Sequence, residues 1–296
     1  MARDGQAPHV PSAHASPLQH RVLFAQPPWL DEPPTHESPL QVPPVHEPGP
    51  QQPAHFVLFI ARRTTRRSGA RRMSRSMGAR ATRIVDVPLT AARCQLVVGD
   101  VPTLVDAGLA RDVPRTLAAI ERAGLAPRDV KRIVLTHADG DHAGGAARLQ
   151  ELTGAEVVAH RAEASYLGDG ELPRGFGLVK RLVIAMSGGR ARPPEIVRWL
   201  DGGEQLDELE ILHTPGHTAG HVAILVGRVL IAGDAFVSGA RCKEVPRVMS
   251  DDVPRSRRTL AALAERDVDR AFSGHGAPVD DAGRRLRALA ARLRAS

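Results

Sequence analysis

"THADGDHAGG", residues 136–145, crowds two histidines and two aspartates into the six positions from His137 to His142. The run follows "RIVL" (132–135), a near-continuous apolar stretch of strand type, so the cluster sits where the chain leaves a sheet. On such a loop alternate side chains point the same way, which lets His137 and Asp139 address one cation. Asp141 and His142 come one residue later, where a helix is expected to begin, and can address a neighbouring cation.

Three later segments put further ligand-type side chains at strand ends. "HTPGHTAGH" (213–221) holds His217 in a Pro-Gly turn, "LIAGDAF" (230–236) ends a strand on Asp234, and "AFSGHGAP" (271–278) ends one on His275. Each has a glycine or proline beside it, which permits a tight turn. Seven such residues at strand C-termini are what a two-metal site would need.

The series "THADGDHAGG … TPGHT … AGD … SGHG" resembles the metallo-β-lactamase superfamily, whose signature runs H-x-[HED]-x-D-H, followed by His, Asp and His. The resemblance covers roughly residues 82–293, and the "TLVDAG" strand (103–108) fits it as well. It implies an α/β fold, a four-layer αββα sandwich, with a dinuclear metal site at the edge where two sheets meet. By the same resemblance His137, Asp139 and His217 would hold the first metal, Asp141, His142 and His275 the second, and Asp234 would bridge them.

Asp139 departs from the histidine of most zinc hydrolases in the superfamily. A carboxylate is a harder ligand than imidazole and shifts preference toward Fe or Mn. Zinc is still favoured for both sites, because the remainder of the set is imidazole-rich. Two close cations lower the pKa of a bridging water toward neutrality and polarise a carbonyl or phosphoryl oxygen. Asp141, loosely held, would orient the nucleophile and shuttle a proton as the catalytic residue. The expected activity is hydrolysis of an ester-like carbonyl (thioester, lactone or lactam) in a small-molecule substrate. Two alternatives are a di-iron, oxygen-reducing redox protein and a nucleic-acid-processing phosphodiesterase.

The body outside these motifs reads as strands with helices interspersed. "TRIVDVPL", "CQLVVGD" and "TLVDAG" read as consecutive strands, and "VPRTLAAIERAGL" (113–125) as a helix with Asp112 as cap and Gly124 as stop. "AARLQELTG" (146–154), "VPRSRRTLAALAER" (253–266) and "DAGRRLRALAARLRA" (281–295) read as further helices, the last with Leu286, Leu289, Ala290 and Leu293 on one face. "AEVVAH", "LEILHTPG", "HVAILVG", "RVLIAGD" and "RAFSGHG" read as strands. The stretch 161–205, Gly- and Pro-rich with a possible helix at 178–186, reads as an insertion forming a lid or pocket wall.

Residues 1–81 read as an extension and 82–296 as the catalytic domain. The first 60 residues hold 13 of the 24 prolines and six of the 13 histidines, a composition that favours disorder. Residues 61–83 carry nine arginines and no acid, while from residue 84 onward the net charge is only +1, so the overall +7 belongs to one short arm. That arm, Arg62 to Arg83, could bind phosphate backbones. The favoured reading is instead a solvated linker, or sequence upstream of the true start, since Met73 and Met77 both precede the first strand. An aromatic content of 3% argues against a stacking platform for single strands.

No secretory signal is expected, "FVLFI" (56–60) is too short to span a bilayer, and two lone cysteines fit a reducing compartment; the expected location is the cytoplasm, without membrane attachment. Among residues set apart from the metals, His213 and His221 read as structural, His160 as a strand-end residue that could line the cleft, and Asp106 as a brace for the metal loops. Tyr166, Phe176, Lys180, Arg241 and Lys243 are the nearest candidates for substrate contact.

Overall fold

A computed structural model of the protein describes residues 82–167 and 192–295. Its first sheet runs β1 (Arg83–Pro88), β2 (Arg93–Val98), β3 (Thr103–Val105), β4 (Arg132–Val134), β5 (Glu156–His160) and β6 (Ile196–Leu200), side by side in chain order. Six more strands follow: β7 (Gln205–Leu206), β8 (Leu209–His213), β9 (Val222–Val226), β10 (Val229–Ile231), β11 (Arg270–Phe272) and β12 (Val279–Asp280). They form a second sheet in the order β12-β11-β10-β9-β8-β7. The helices are α1 (Val113–Arg122), α2 (Gly140–Ala143), α3 (Ala146–Thr153), α4 (Ala164–Leu167), α5 (Val253–Ala264) and α6 (Ala282–Arg294).

Alternation along the strands generates the layers. In β2, Cys94, Leu96 and Val98 point into a core shared with Val113, Ile120 and Leu149 of α1 and α3, whereas Val97 points to the opposite face. In β9, Val222, Ile224 and Val226 meet Val97, Val105, Val134 and Val158 between the sheets, and Ala223 and Leu225 face Leu260, Leu263 and Leu286 of α5 and α6. Three buried cores therefore separate four layers, giving the αββα sandwich. Strands covered on both faces read as unbroken apolar runs rather than as alternating ones. Each fully buried Val, Leu or Ile side chain contributes about 1.5–3 kcal/mol relative to exposure.

From β3 to β6 the first sheet is parallel, so the C-terminal ends of these strands lie along one edge. In the second sheet β10 and β11 are parallel as well. Loops leaving carboxyl ends are where open α/β sheets place their ligands.

Three local expectations need correction or completion. Asp112 does not cap α1 through its side chain; it is already helical (φ −85°, ψ −10°), at the end of a 3₁₀ turn. Its carboxylate turns back to accept from the amides of Thr90 (3.1 Å) and Leu109 (3.2 Å). Gly124 does stop that helix, at φ +82°. Part of the supposed insertion is a strand: β6 pairs in parallel with β5, and its exposed Val197 and Arg198 obscure the strand pattern. The helix at 178–186, Phe176, Lys180, residues 1–81 and most of the arginine arm lie outside the described residues. Among the described residues no helix is long and apolar enough to cross a membrane.

Candidate metal centre

Four of the seven residues singled out above follow β4. His137 is the third residue past that strand, and Asp139 takes the N-cap position of the single-turn α2 in extended conformation (φ −62°, ψ 143°). Asp141 and His142 then fall in that turn, with the His142 ring centroid 4.2 Å from that of His137. Asp234 is likewise the third residue past β10 and His275 the third past β11, while His217 lies in the turn after β8. Two glycines make the convergence possible. A Cβ on Gly233 (φ +49°) would come within 2.8 Å of His221 and Thr136, and one on Gly274 would collide with Asp234 and His142.

All seven side chains meet. His217 Nε2 lies 3.1 Å from Asp139 Oδ2 and 3.7 Å from Asp234 Oδ2, and His137 Nε2 lies 3.7 Å from Asp139 Oδ2. Asp234 reaches the other side as well, with Oδ1 3.3 Å from His142 Nε2 and Oδ2 3.2 Å from His275 Nε2. Asp141 Oδ2 lies 3.4 Å from His275 Nε2 and 4.0 Å from His142 Nε2. Among the described residues two groups offer ligand atoms mutually within 4.8 Å: His137, His217 and Asp234, and Asp141, His142 and His275. The first is buried. The second opens outward, with the Asp141 and His275 side chains 28% and 34% exposed.

The atoms aimed into the middle suit cations. His137 Nε2 is buried without a hydrogen-bond partner, an arrangement that costs about 1–3 kcal/mol unless something else engages it, and buried His142 Nε2 and Asp234 Oδ1 face each other, 3.3 Å apart. Imidazole nitrogens and carboxylate oxygens are the donor set of divalent Zn, Fe and Mn, so the residues present fit such ions.

Electrostatics points the same way. Burial holds His137 well below the ordinary imidazole range, helped by the neighbouring rings of His142 and His217. Burial pulls His142 down too, but the carboxylates of Asp234 and Asp106 outweigh it and hold that ring well above the range. Burial opposes ionisation of Asp234, yet His142, His275 and His217 keep its carboxyl well below the usual carboxylate range. The hydrogen bond to Asp234 raises His275. The cluster thus draws positive charge, which protons supply and a divalent cation would supply by displacing them.

A shell of polar contacts fixes these side chains. Asp106, held at φ +63°, accepts from the Thr136 amide (2.8 Å), and its Oδ2 lies 2.8 Å from His142 Nδ1. This is the bracing expected of it. His221 is fully buried, and its Nε2 accepts from the Asp234 amide at 2.9 Å. His213 stands outside both ligand groups; it stacks on His160, with ring centroids 4.2 Å apart, and donates to the Ala219 carbonyl. His160 hydrogen-bonds the Asp201 carbonyl and accepts from the Ala162 amide.

Glu163 escaped the sequence reading. It is 1% exposed and accepts from the Ala138 amide (3.0 Å) and the Gly220 amide (2.7 Å). One carboxylate thereby ties the 137–142 loop to the 217–221 turn. Its signal was position: Glu163 is the third residue past β5, the placement His137, Asp234 and His275 have after their own strands.

Of the substrate-contact candidates, Tyr166 is half-buried. Burial, then the carboxylates of Asp251, Asp139 and Glu163, push its phenol up. Arg241 and Lys243 are exposed.

Residues 94–275 match the model of the metallo-beta-lactamase superfamily. A probable metallo-hydrolase of Methanocaldococcus jannaschii is 28% identical over 189 residues, which cover 61% of this chain and 85% of that protein. A hydroxyacylglutathione hydrolase of Haemophilus influenzae is 29% identical over 199 residues, 64% of this chain and 89% of its own. Among solved structures, a metallo-beta-lactamase family protein of Thermus thermophilus superposes with a TM-score of 0.57 at 26% identity, covering 72% of this chain and 79% of that one. A B3 metallo-beta-lactamase with an active-site glutamic acid superposes with a TM-score of 0.56 at 25% identity, covering 71% and 84%.

Proposed function

The chain belongs to the metallo-β-lactamase superfamily and is a metallo-hydrolase, and from that premise we propose that it uses two divalent cations to hydrolyse an ester-like carbonyl, a thioester, lactone or lactam, in a small molecule. The observation that carries the reading is the placement of Asp234, whose two oxygens reach His142 and His275 on one side and His217 on the other. In this reading His137, Asp139 and His217 hold the first cation, Asp141, His142 and His275 the second, and Asp234 serves both. Zinc is the preferred ion; Asp139 leaves iron or manganese as competitors.

When bound, such a pair supplies a nucleophilic hydroxide at neutral pH and a Lewis acid for the carbonyl oxygen. The protein's own part is positioning and proton traffic. Buried His137, His142 and His217 keep bulk water from the inner side. Asp141, at the exposed rim, is placed to take a proton from the attacking water and return it to the leaving group. A relative hydrolyses hydroxyacylglutathione by name, and structural neighbours are β-lactamases by name; both are acyl hydrolyses. The active-site glutamic acid of one neighbour supports a hydrolase reading despite Asp139. Cys94 and Cys242, both buried and free, fit the cytoplasm as the compartment.

Metal analysis of protein purified without added metal, with a panel of thioesters, lactones, β-lactams and phosphodiesters, tests the proposal. Two zinc per chain and acyl hydrolysis that vanishes in Asp234→Ala, with loss of both ions, are expected. Two iron per chain with oxygen consumption would overturn it in favour of a redox role.

A further inference from the structure

A second concave site lies away from the metal centre, between β8 and α5. Its volume is about 500 Å³, within the range of pockets that hold small organic ligands. Leu212, Pro215 and Leu263 supply an apolar floor, and Arg255, Arg258 and Arg266 stand around it. Positions 255, 258, 259, 262 and 263 share one face at helical spacing, so the groove follows α5 for about 12 Å.

The charge on this groove is one-sided. Among the described residues no carboxylate lines it. Its hydroxyls are already used: Thr259 donates to the Pro215 carbonyl at 2.7 Å, and Thr214 hydrogen-bonds His221. Arg266 pairs with Glu210, and the adjacent Arg257 pairs with Glu244, but Arg255 and Arg258 form no ion pair among the described residues. Two uncommitted guanidinium groups above an apolar trough match a ligand with an anionic head and an apolar body. Planar guanidinium donors pair bidentately with carboxylate or phosphate oxygens.

We propose that the β8–α5 groove binds an amphipathic organic anion, its carboxylate or phosphate head held by Arg255 and Arg258 and its apolar part laid on Leu212, Pro215 and Leu263. This site is independent of the metal reading.

Titration of the full chain with 1-anilinonaphthalene-8-sulfonate, an apolar anion whose fluorescence rises on binding, tests it. The wild type saturates. The double variant Arg255→Gln/Arg258→Gln weakens binding roughly tenfold or more, and Ala262→Trp, which fills the trough from an exposed lining position, does the same. The neutral dye N-phenyl-1-naphthylamine responds to Ala262→Trp alone. Unchanged affinity for the anionic dye in both variants would overturn the proposal and locate the dye elsewhere, the arginine arm included. An equal response of both dyes to the arginine substitutions would overturn the assignment of the anionic head.

Discussion

The Nδ1 atom of His142 lies 2.8 Å from Oδ2 of Asp106, a residue held in the left-handed region at φ +63°. The other Asp106 oxygen takes the amide of Thr136, so one buried carboxylate orients both the His142 ring and the start of its loop. Asparagine tolerates the same backbone conformation but offers one acceptor where two are used. Asp106→Asn should therefore weaken metal binding by about 10–100-fold while leaving the fold intact. Competition against a chromophoric chelator measures this; wild-type affinity in the variant would remove Asp106 from the machinery.

Glu163 fastens two loops that are far apart in sequence. Glu163→Ala strands the partly buried amide of Ala138 and the buried amide of Gly220, at a cost of roughly 2–6 kcal/mol for the pair. Glu163→Gln keeps one acceptor and should lose about half as much. Urea unfolding of chelator-treated protein separates this from any metal effect, and equal stability of the three proteins would refute the clamp.

Asp139 should set metal preference. Asp139→His replaces a hard oxygen donor with imidazole, so protein produced in mixed Zn, Fe and Mn should carry a larger zinc fraction than the wild type. An unchanged profile by mass spectrometry would mean that the carboxylate 3.1 Å from His217 is not a ligand.

Burial, and then the stacked His213 ring, hold His160 below the ordinary imidazole range. A base kept neutral in the folded state but free to protonate when unfolded stabilises the fold above its unfolded pKa. That contribution is lost as pH falls below about 6.5 toward the depressed folded value. The melting temperature should drop between pH 7 and 5, and drop less in His160→Gln. Parallel pH profiles for the two proteins would contradict this.

Much of the candidate centre was legible because its residues sit in short motifs at strand ends, where glycines announce tight turns. His137, Asp234 and His275 each follow a strand by three residues, and the sequence shows both the strand and the ligand. Glu163 obeys the same spacing after β5 but is followed by "ASYL", which reads as ordinary helix, and a carboxylate that accepts from backbone amides leaves no motif. The layering was implied but the edges were not. β7 and β12 have two residues each, too few for any period, and β6 exposes one flank as an edge strand. Asp112 shows that a capping residue type does not decide where its carboxylate turns; Thr90, 22 positions earlier, competed for it.

The ligand groups draw on both sheets: His137 and His142 leave the first, and His217, Asp234 and His275 leave the second. Neither half can assemble the centre alone, so any ion seated there acts as a rivet through the seam between them. Stripping it should speed amide hydrogen exchange at residues 134–137 and 231–234 together, while the outward faces of α1 and α6 keep their protection.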